Sequence, residues 1–219
     1  MAPRATGRER ERNLDRLLTF VDAVVAIAIT LLVLPLVELT AEVGRATSVA
    51  QLLEENGAAF WAFLLSFAVI ARLWFVQHRA LEHVVAGNHR LELLLVVWTL
   101  TIVFLPFPTA LAARAGDQAA TKILYVGTIA VSTLVLGLVD HVVAGGEVVT
   151  DADGTTDMLV PLVNVALLLV ALAIMLLVPV VSYFPMFLLA LDDQVLRVLR
   201  RLRRTHAAAE VGEPPGTRP

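Results

Sequence analysis

The sequence contains no cysteine, and few of its residues are charged. The absence of cysteine excludes disulfides, thiolate catalysis and cysteine-ligated metal sites. Only 17% of the 219 residues are charged, whereas 58% are hydrophobic, and a soluble domain usually has about a quarter of its residues charged. The composition therefore excludes an ordinary soluble protein and indicates a chain that is solvated largely by lipid.

Signatures of common enzymes are missing as well. The sequence has no Gly-x-Ser-x-Gly, His-Glu-x-x-His or P-loop motif and no paired aspartates within an apolar run, so we expect neither an enzyme nor a bound metal or cofactor. The stretch 195–204 is basic and amphipathic, and such a stretch beside a membrane helix contacts anionic lipid. We expect no nucleic-acid partner.

The apolar residues form runs of transmembrane length. A helix that crosses the hydrocarbon needs about 20 residues, and lipid offers backbone groups no partner outside the helix. Four such runs occupy residues 17–37, 58–78, 91–113 and 123–143. A longer run, 158–190, contains Pro179 and Pro185, which predict a break between a fifth helix over 158–178 and a sixth that begins at Pro185. We predict an all-α integral membrane protein with six transmembrane helices per subunit.

Arginines cluster in the first 16 residues and between residues 197 and 204, and short segments rich in Arg lie on the cytoplasmic side. We therefore predict a cytoplasmic N-terminal tail (1–15), a six-helix transmembrane domain (16–204) and a disordered cytoplasmic tail (205–219), in a multi-pass protein of the cell membrane. The loop 144–157 does not fit this rule, because the predicted orientation places the loop in the cytoplasm although it contains no Arg or Lys. The length of the first run and Asp22 within it argue against a signal peptide.

Short motifs in three of the predicted helices resemble one known family. The motif residues, in chain order, are Arg16, Phe20, Asp22, Ile27, Thr30 and Leu31 in the first helix, Ser66, Phe67, Trp74 and His78 in the second, and Leu105, Pro106, Phe107, Pro108 and Thr109 in the third. They resemble the transmembrane protein 175 family, whose first helix has Arg, three residues, Phe-Ser-Asp and an apolar run with Thr-Leu. Val21 replaces the motif serine, and Gln77 stands where many relatives have histidine.

The resemblance implies a homotetrameric channel that is permeable to potassium and only modestly selective over sodium; some members also pass protons. It also implies no potassium-channel filter loop, and no Thr-Val-Gly-Tyr-Gly run of the carbonyl-filter kind occurs in the sequence. The expected partners are further copies of this chain and the lipid bilayer, with K⁺ as the permeant ion. Rival hypotheses are a proton-coupled secondary transporter or proton-leak pathway, and a non-conducting membrane scaffold.

At about 100° per residue, one face of the first helix carries Ile27, Thr30, Leu31 and Leu34. The resemblance implies that residues at these places line the pore. Four copies of Ile27 or Leu34 would then form an apolar constriction that gates by excluding water, and the Thr30 hydroxyls would help to replace the hydration of the ion. The alternative is that this face only packs against a neighbouring helix.

Asp22 lies about 140° around the first helix from Ile27, and an acidic residue inside a span normally faces a partner. The candidate partners are Arg16, Arg72, Trp74 and His78. We group Arg16, Phe20, Asp22, Trp74 and His78 as a predicted polar lock that holds the first helix and biases opening. Two other hypotheses stay open: the contact only fixes packing, or Asp22 and His78 form a proton relay.

Overall fold

The computed structural model of the chain describes residues 7–42, 48–146 and 148–150, together with five helical residues between 165 and 173. The rest of the predicted fifth helix, the sixth helix and the tail 205–219 lie outside the described residues. Within the described part, four helical segments are long and apolar enough to cross a membrane: Gly7–Glu38, Gly57–Leu81, His89–Ala115 and Ala119–Ala144. They agree with the first four predicted spans and with an all-α membrane protein.

The elements in chain order are α1 (Gly7–Leu31), α2 (Leu34–Glu38), a 3-10 turn (Leu39–Glu42), α3 (Val49–Glu55), α4 (Gly57–Leu81), β1 (Val84–Ala86), α5 (His89–Phe104), α6 (Pro106–Ala115), α7 (Ala119–Ala144) and β2 (Val149–Thr150). The sequence did not predict α3 or the short antiparallel pair of β1 with β2. Ser48 caps α3, because its side chain accepts a hydrogen bond from the Gln51 N–H at 3.2 Å.

The first span differs from the prediction at both ends. Helix α1 begins at Gly7 and passes through the predicted boundary at residues 15 and 16 without a break, because the segment before Arg16 is rich in Arg and Glu, which favour helix. At its other end the span is interrupted after Leu31, four residues before Pro35. Proline has no N–H for the carbonyl four residues back and its ring clashes there, so the predicted continuous helix is divided into α1 and α2.

The third span divides at Pro106 for the same reason. The turn at Leu105 separates α5 from α6, and the Leu105 N–H points at the carbonyl oxygens of both Thr101 and Ile102, each 3.2 Å away. Pro106 cannot donate to the Ile102 carbonyl, so the shared Leu105 N–H supplies that carbonyl with a donor. The Ile102 carbonyl therefore keeps a donor at this break.

Two buried clusters hold the helices together. The larger joins α1, α4, α5 and α7 around Val25, Ile70, Trp98 and Tyr125. The smaller contains Leu14 near the start of α1, with Leu81, Leu91 and Val139 among its other members. The start of α1, the start of α5, the ends of α4 and α7, and the β1–β2 pair thus meet at one end, which we name the Gly7 end. The opposite end, with α2 and α6, is the Glu38 end.

Because β1 pairs with β2, the connection after α4 and the connection after α7 lie on the same side of the helical bundle. The predicted orientation requires this arrangement, since it places both connections on the side of the N-terminus. Which compartment that side faces stays a prediction.

Candidate functional site

A hydrogen bond between α1 and α4 lies at the centre of the first-helix motif. The indole Nε1–H of Trp74 donates to Oδ1 of Asp22 at 2.8 Å. The Trp74 ring also stacks on the imidazole of His78, with centroids 5.5 Å apart and planes at 23°. Trp74 and His78 lie four residues apart on one helix, which brings their side chains to the same face.

The Asp22–Trp74 contact gives the acidic residue a neutral donor. Acidic residues within a membrane span almost always face the bundle interior or a water-filled cavity and pair with another group. Asp22 is exposed in the single chain, and Trp74 is half-buried. The pair therefore lies at the edge of the helix bundle and ties the rotation of α1 to α4.

The structure separates Arg16 from this pair. Arg16 lines a cavity of about 460 Å³ between α1 and α5, whose other lining residues are Asn13, Leu17, His89, Glu92, Leu93 and Val96. Phe20 lies exposed on α1. Of the five residues predicted to form the polar lock, Asp22, Trp74 and His78 are thus brought together by described contacts. The roles of all five in gating stay a prediction.

All four predicted pore residues are exposed in the single chain. Ile27 is 58% exposed and Leu34 is 51% exposed, although both are large and apolar. Leu31 and Thr30 are exposed beside them. The opposite face of α1 is buried and contains Val21, Val25, Ala28 and Leu32. The face with Ile27 is therefore free to contact lipid, a second copy of the chain or water.

The hydroxyl group of Thr30 is oriented so that its oxygen, and not its proton, is available to a further partner. Its Oγ1 donates to the carbonyl oxygen of Ile27 at 2.7 Å, so the only hydroxyl proton is engaged and the lone pairs of Oγ1 remain. An oxygen of this kind can replace one water around a cation. The local backbone bond therefore prepares Thr30 as an acceptor.

Leu34 lies beyond the break, on α2, so the ideal-helix projection from α1 does not fix its direction. It lines a groove of about 380 Å³ with Leu31, Pro35, Pro106 and Phe107 among other residues. An ion pair between Glu38 of α2 and Arg114 of α6 lies at the same groove. Sequence reasoning missed this pair, because neither residue belongs to a motif and their separation along the chain gives no signal.

A buried hydroxyl network joins three helices. Ser66 Oγ of α4 lies 2.9 Å from the Tyr125 hydroxyl of α7 and 2.8 Å from Thr109 Oγ1 of α6. Thr109 Oγ1 also lies 2.8 Å from the Leu105 carbonyl oxygen, which can only accept. Since each hydroxyl has one proton, all three contacts are satisfied together when Tyr125 donates to Ser66, Ser66 to Thr109 and Thr109 to the carbonyl.

Part of this network could be anticipated from sequence motifs. Ser66 and Thr109 belong to segments that resemble the family, whereas Tyr125 lies in a helix without a recognised motif. Among the described residues, no group of three or more His, Asp and Glu side chains is arranged to hold a metal ion. Besides these hydroxyls, the described helices also bury the polar side chains of Gln77 and Lys122.

Comparison with known proteins points to one family. Residues 16–106 match the family model described as endosomal/lysosomal potassium channel TMEM175. A curated potassium channel of Chamaesiphon minutus (strain ATCC 27169 / PCC 6605) is 37% identical over 103 residues, which is 45% of this chain and 49% of that relative. The chain therefore matches about half the length of this relative. The family match contains Asp22, Trp74 and Ile27, the residues on which the site is built.

Proposed function

We propose that this chain is the subunit of a potassium-permeable cation channel, because residues 16–106 match the TMEM175 family model and a curated potassium channel is 37% identical over 103 residues. The observation that carries the proposal is the exposure of the apolar side chains of Ile27 on α1 and Leu34 on α2. More than half of the surface of each is exposed in the single chain, while the other face of α1 is packed into the core.

The proposed pore lies along this face of α1 in a homotetramer. Four copies of Ile27 form an apolar ring, and four copies of Leu34 form a second ring toward the Glu38 end. A narrow apolar ring excludes water and thereby gates conduction. The Thr30 oxygens next to Ile27 replace part of the hydration of K⁺, which favours the more easily dehydrated ion and gives modest selectivity over sodium.

The Asp22–Trp74 contact is the proposed lock on this pore. It lies on the flank of α1 that faces α4, so it sets how far α1 is rotated toward the pore axis. Rotation changes which side chains face the axis, because neighbouring residues differ by about 100°. Loss of the contact is therefore expected to alter opening as well as stability.

A proton relay between Asp22 and His78 has less support. The Trp74 indole contacts both groups, and an indole N–H donates a hydrogen bond but accepts none. A proton cannot pass through it from the imidazole to the carboxylate. We therefore keep potassium conduction, and not proton transfer, as the proposed function.

The proposed orientation has the Gly7 end and both termini in the cytoplasm of a cell that carries the protein in its cell membrane. Support comes from the arginines before residue 17 and from the shared side of the β1 and β2 connections. The orientation would leave the Glu38 end on the outer side.

The proposal is tested by planar-bilayer recording of the purified protein with potassium on one side and sodium on the other. Discrete unitary currents with a reversal potential displaced toward potassium are expected. If no unitary events occur, ion flux into vesicles that contain the protein is measured next. Flux that saturates with ion concentration would instead identify a transporter, and the absence of both current and flux would identify a scaffold.

A further inference from the structure

Helix α1 continues beyond the membrane run as a regular helix to Gly7. Its exposed residues before the apolar run include Arg8, Arg10, Arg12 and Arg16. Because the helix is continuous, the directions of these side chains are fixed relative to Ile27 and Thr30. The question is which of the arginines share the face that carries the predicted pore residues.

Arg12 and Arg16 lie on the same face of α1 as Ile27 and Thr30. Arg12 precedes Thr30 by five turns at about 3.6 residues per turn, so both point in the same direction, and Arg16 lies about 20° from Ile27. Arg10 points about 160° away from Thr30. The face that is apolar within the membrane therefore becomes basic at the Gly7 end.

Acidic residues offset this charge only in part. Glu9 shares the sector between Thr30 and Ile27, while Glu11 and Asp15 lie about 60° or more outside it. Glu92 of α5 lines the cavity that Arg16 also lines. Arg12 thus lies between Glu9 and Arg16 along the face, and the sector of α1 retains a net positive charge.

We infer that Arg12 and Arg16 form a positive ring at the Gly7-end mouth of the pore and reduce the entry of K⁺ from that side. The inference rests on the proposed function, because the ring exists only if this face of α1 lines a pore. Within α1, Arg12 and Arg16 outnumber Glu9 in each subunit, so the α1 helices of a tetramer place about four net positive charges around one mouth. A ring of this kind depletes cations locally and makes the current depend on its direction.

Ionic strength decides whether the effect is visible. The Debye length is about 10 Å at 0.1 M salt and about 3 Å at 1 M. Charges spaced by roughly 10 Å around a mouth therefore act on the axis at low salt and are screened at high salt. Coulomb energies at this distance in water correspond to about a two- to fourfold change in local cation concentration at 0.05 M.

The test is unitary K⁺ current of the full chain in symmetric KCl at about 0.05 M and about 1 M. At low salt, Arg12→Gln should raise the smaller of the two currents at equal and opposite voltages by about two- to fourfold, and Arg12→Glu should raise it further. At 1 M these variants should match the wild type. Arg10→Gln is the matched control, since it removes the same charge from the opposite side of the same helix.

Equal effects of Arg10→Gln and Arg12→Gln, or no effect of either, would overturn the inference while leaving the channel itself intact. Absence of unitary current from the wild-type protein would overturn the proposed function and the inference with it. Arg12 is exposed, so its variants should fold. Arg16→Gln, which also alters the cavity next to α5, serves as a second variant expected to act in the same direction.

Discussion

Trp74 on α4 donates its indole N–H to the carboxylate of Asp22 on α1 across 2.8 Å. The two residues belong to the first two spans and are 52 positions apart in the chain. Their contact joins the helix that carries the exposed Ile27 face to a helix anchored in the core by Ile70 and Leu73.

Trp74→Phe keeps an aromatic ring beside His78 but removes the donor to Asp22. Because a hydrogen bond contributes about 0.5–1.5 kcal/mol net, we expect a loss of thermal stability of the detergent-purified protein, measured by size exclusion after heating. Asp22→Ala should have at least as large an effect, and Asp22→Asn, which keeps an acceptor oxygen, a smaller one.

The matched control is Trp61→Phe, because Trp61 lies on the same helix and is 66% exposed. Equal stability of the Trp61 and Trp74 variants would show that the indole N–H contributes nothing. In that case the lock would reduce to side-chain packing.

Ile27→Asn should hydrate the proposed constriction and weaken discrimination against sodium. A polar amide in an apolar ring favours water in the pore, so ions cross with more of their hydration shell. The measurement is the reversal potential under potassium–sodium bi-ionic conditions. Ile123→Asn makes the same substitution at another exposed isoleucine, on α7, and should leave the ratio unchanged. If the potassium-to-sodium permeability ratio of Ile27→Asn equals that of the wild type, then Ile27 does not contribute to selectivity.

Thr109→Val should destabilise the helical bundle more than Thr99→Val. Both residues are buried, and both donate to the carbonyl four residues back. Only Thr109 also contacts Ser66, so its replacement removes one of the two described hydrogen bonds of the buried Ser66 hydroxyl, at a cost of about 0.5–1.5 kcal/mol. Thermal unfolding of both variants, followed by circular dichroism, measures the difference. Similar melting curves would contradict a stabilising role for the network.

Pro35→Ala should straighten the junction of α1 and α2, because alanine restores the N–H and removes the ring clash with the preceding turn. The cysteine-free sequence permits paired spin labels at Ala23→Cys and Val37→Cys. Their distance should move toward the value of about 21 Å expected for a straight helix. A label pair at Arg10→Cys and Ala23→Cys, both before the break, should not change. If the first distance also stays constant, then Pro35 does not cause the break.

Much of the helical layout could be predicted from the sequence. The second, third and fourth predicted spans end within a few residues of α4, α5–α6 and α7, because apolar runs of bilayer length leave no other regular structure available. The helical path of residues 7–15 was missed, since a polar segment outside the membrane has no hydrophobic pattern that distinguishes helix from coil. The short β1–β2 pair was missed because its partners are far apart in the chain.

The candidate site was predictable where one helix alone defines it. The face with Ile27, Thr30 and Leu31 follows from helical geometry, and the need of Asp22 for a partner follows from its position within an apolar run of membrane length. The choice among four candidate partners did not follow, because it depends on how α4 is rotated and shifted against α1. The same holds for Tyr125, which has no motif around it and meets Ser66 only after packing.

The sequence by itself determined that this chain is a membrane protein, where its first four spans lie, and which side of α1 is apolar, because these properties depend on local composition and on the helical repeat. Tertiary structure alone decided that Trp74 reaches Asp22, that Arg114 pairs with Glu38, and that Ser66, Thr109 and Tyr125 share one network. Such contacts depend on the relative rotation and depth of whole helices. These variables are set by the packing of all the buried side chains together and are not encoded in any short segment.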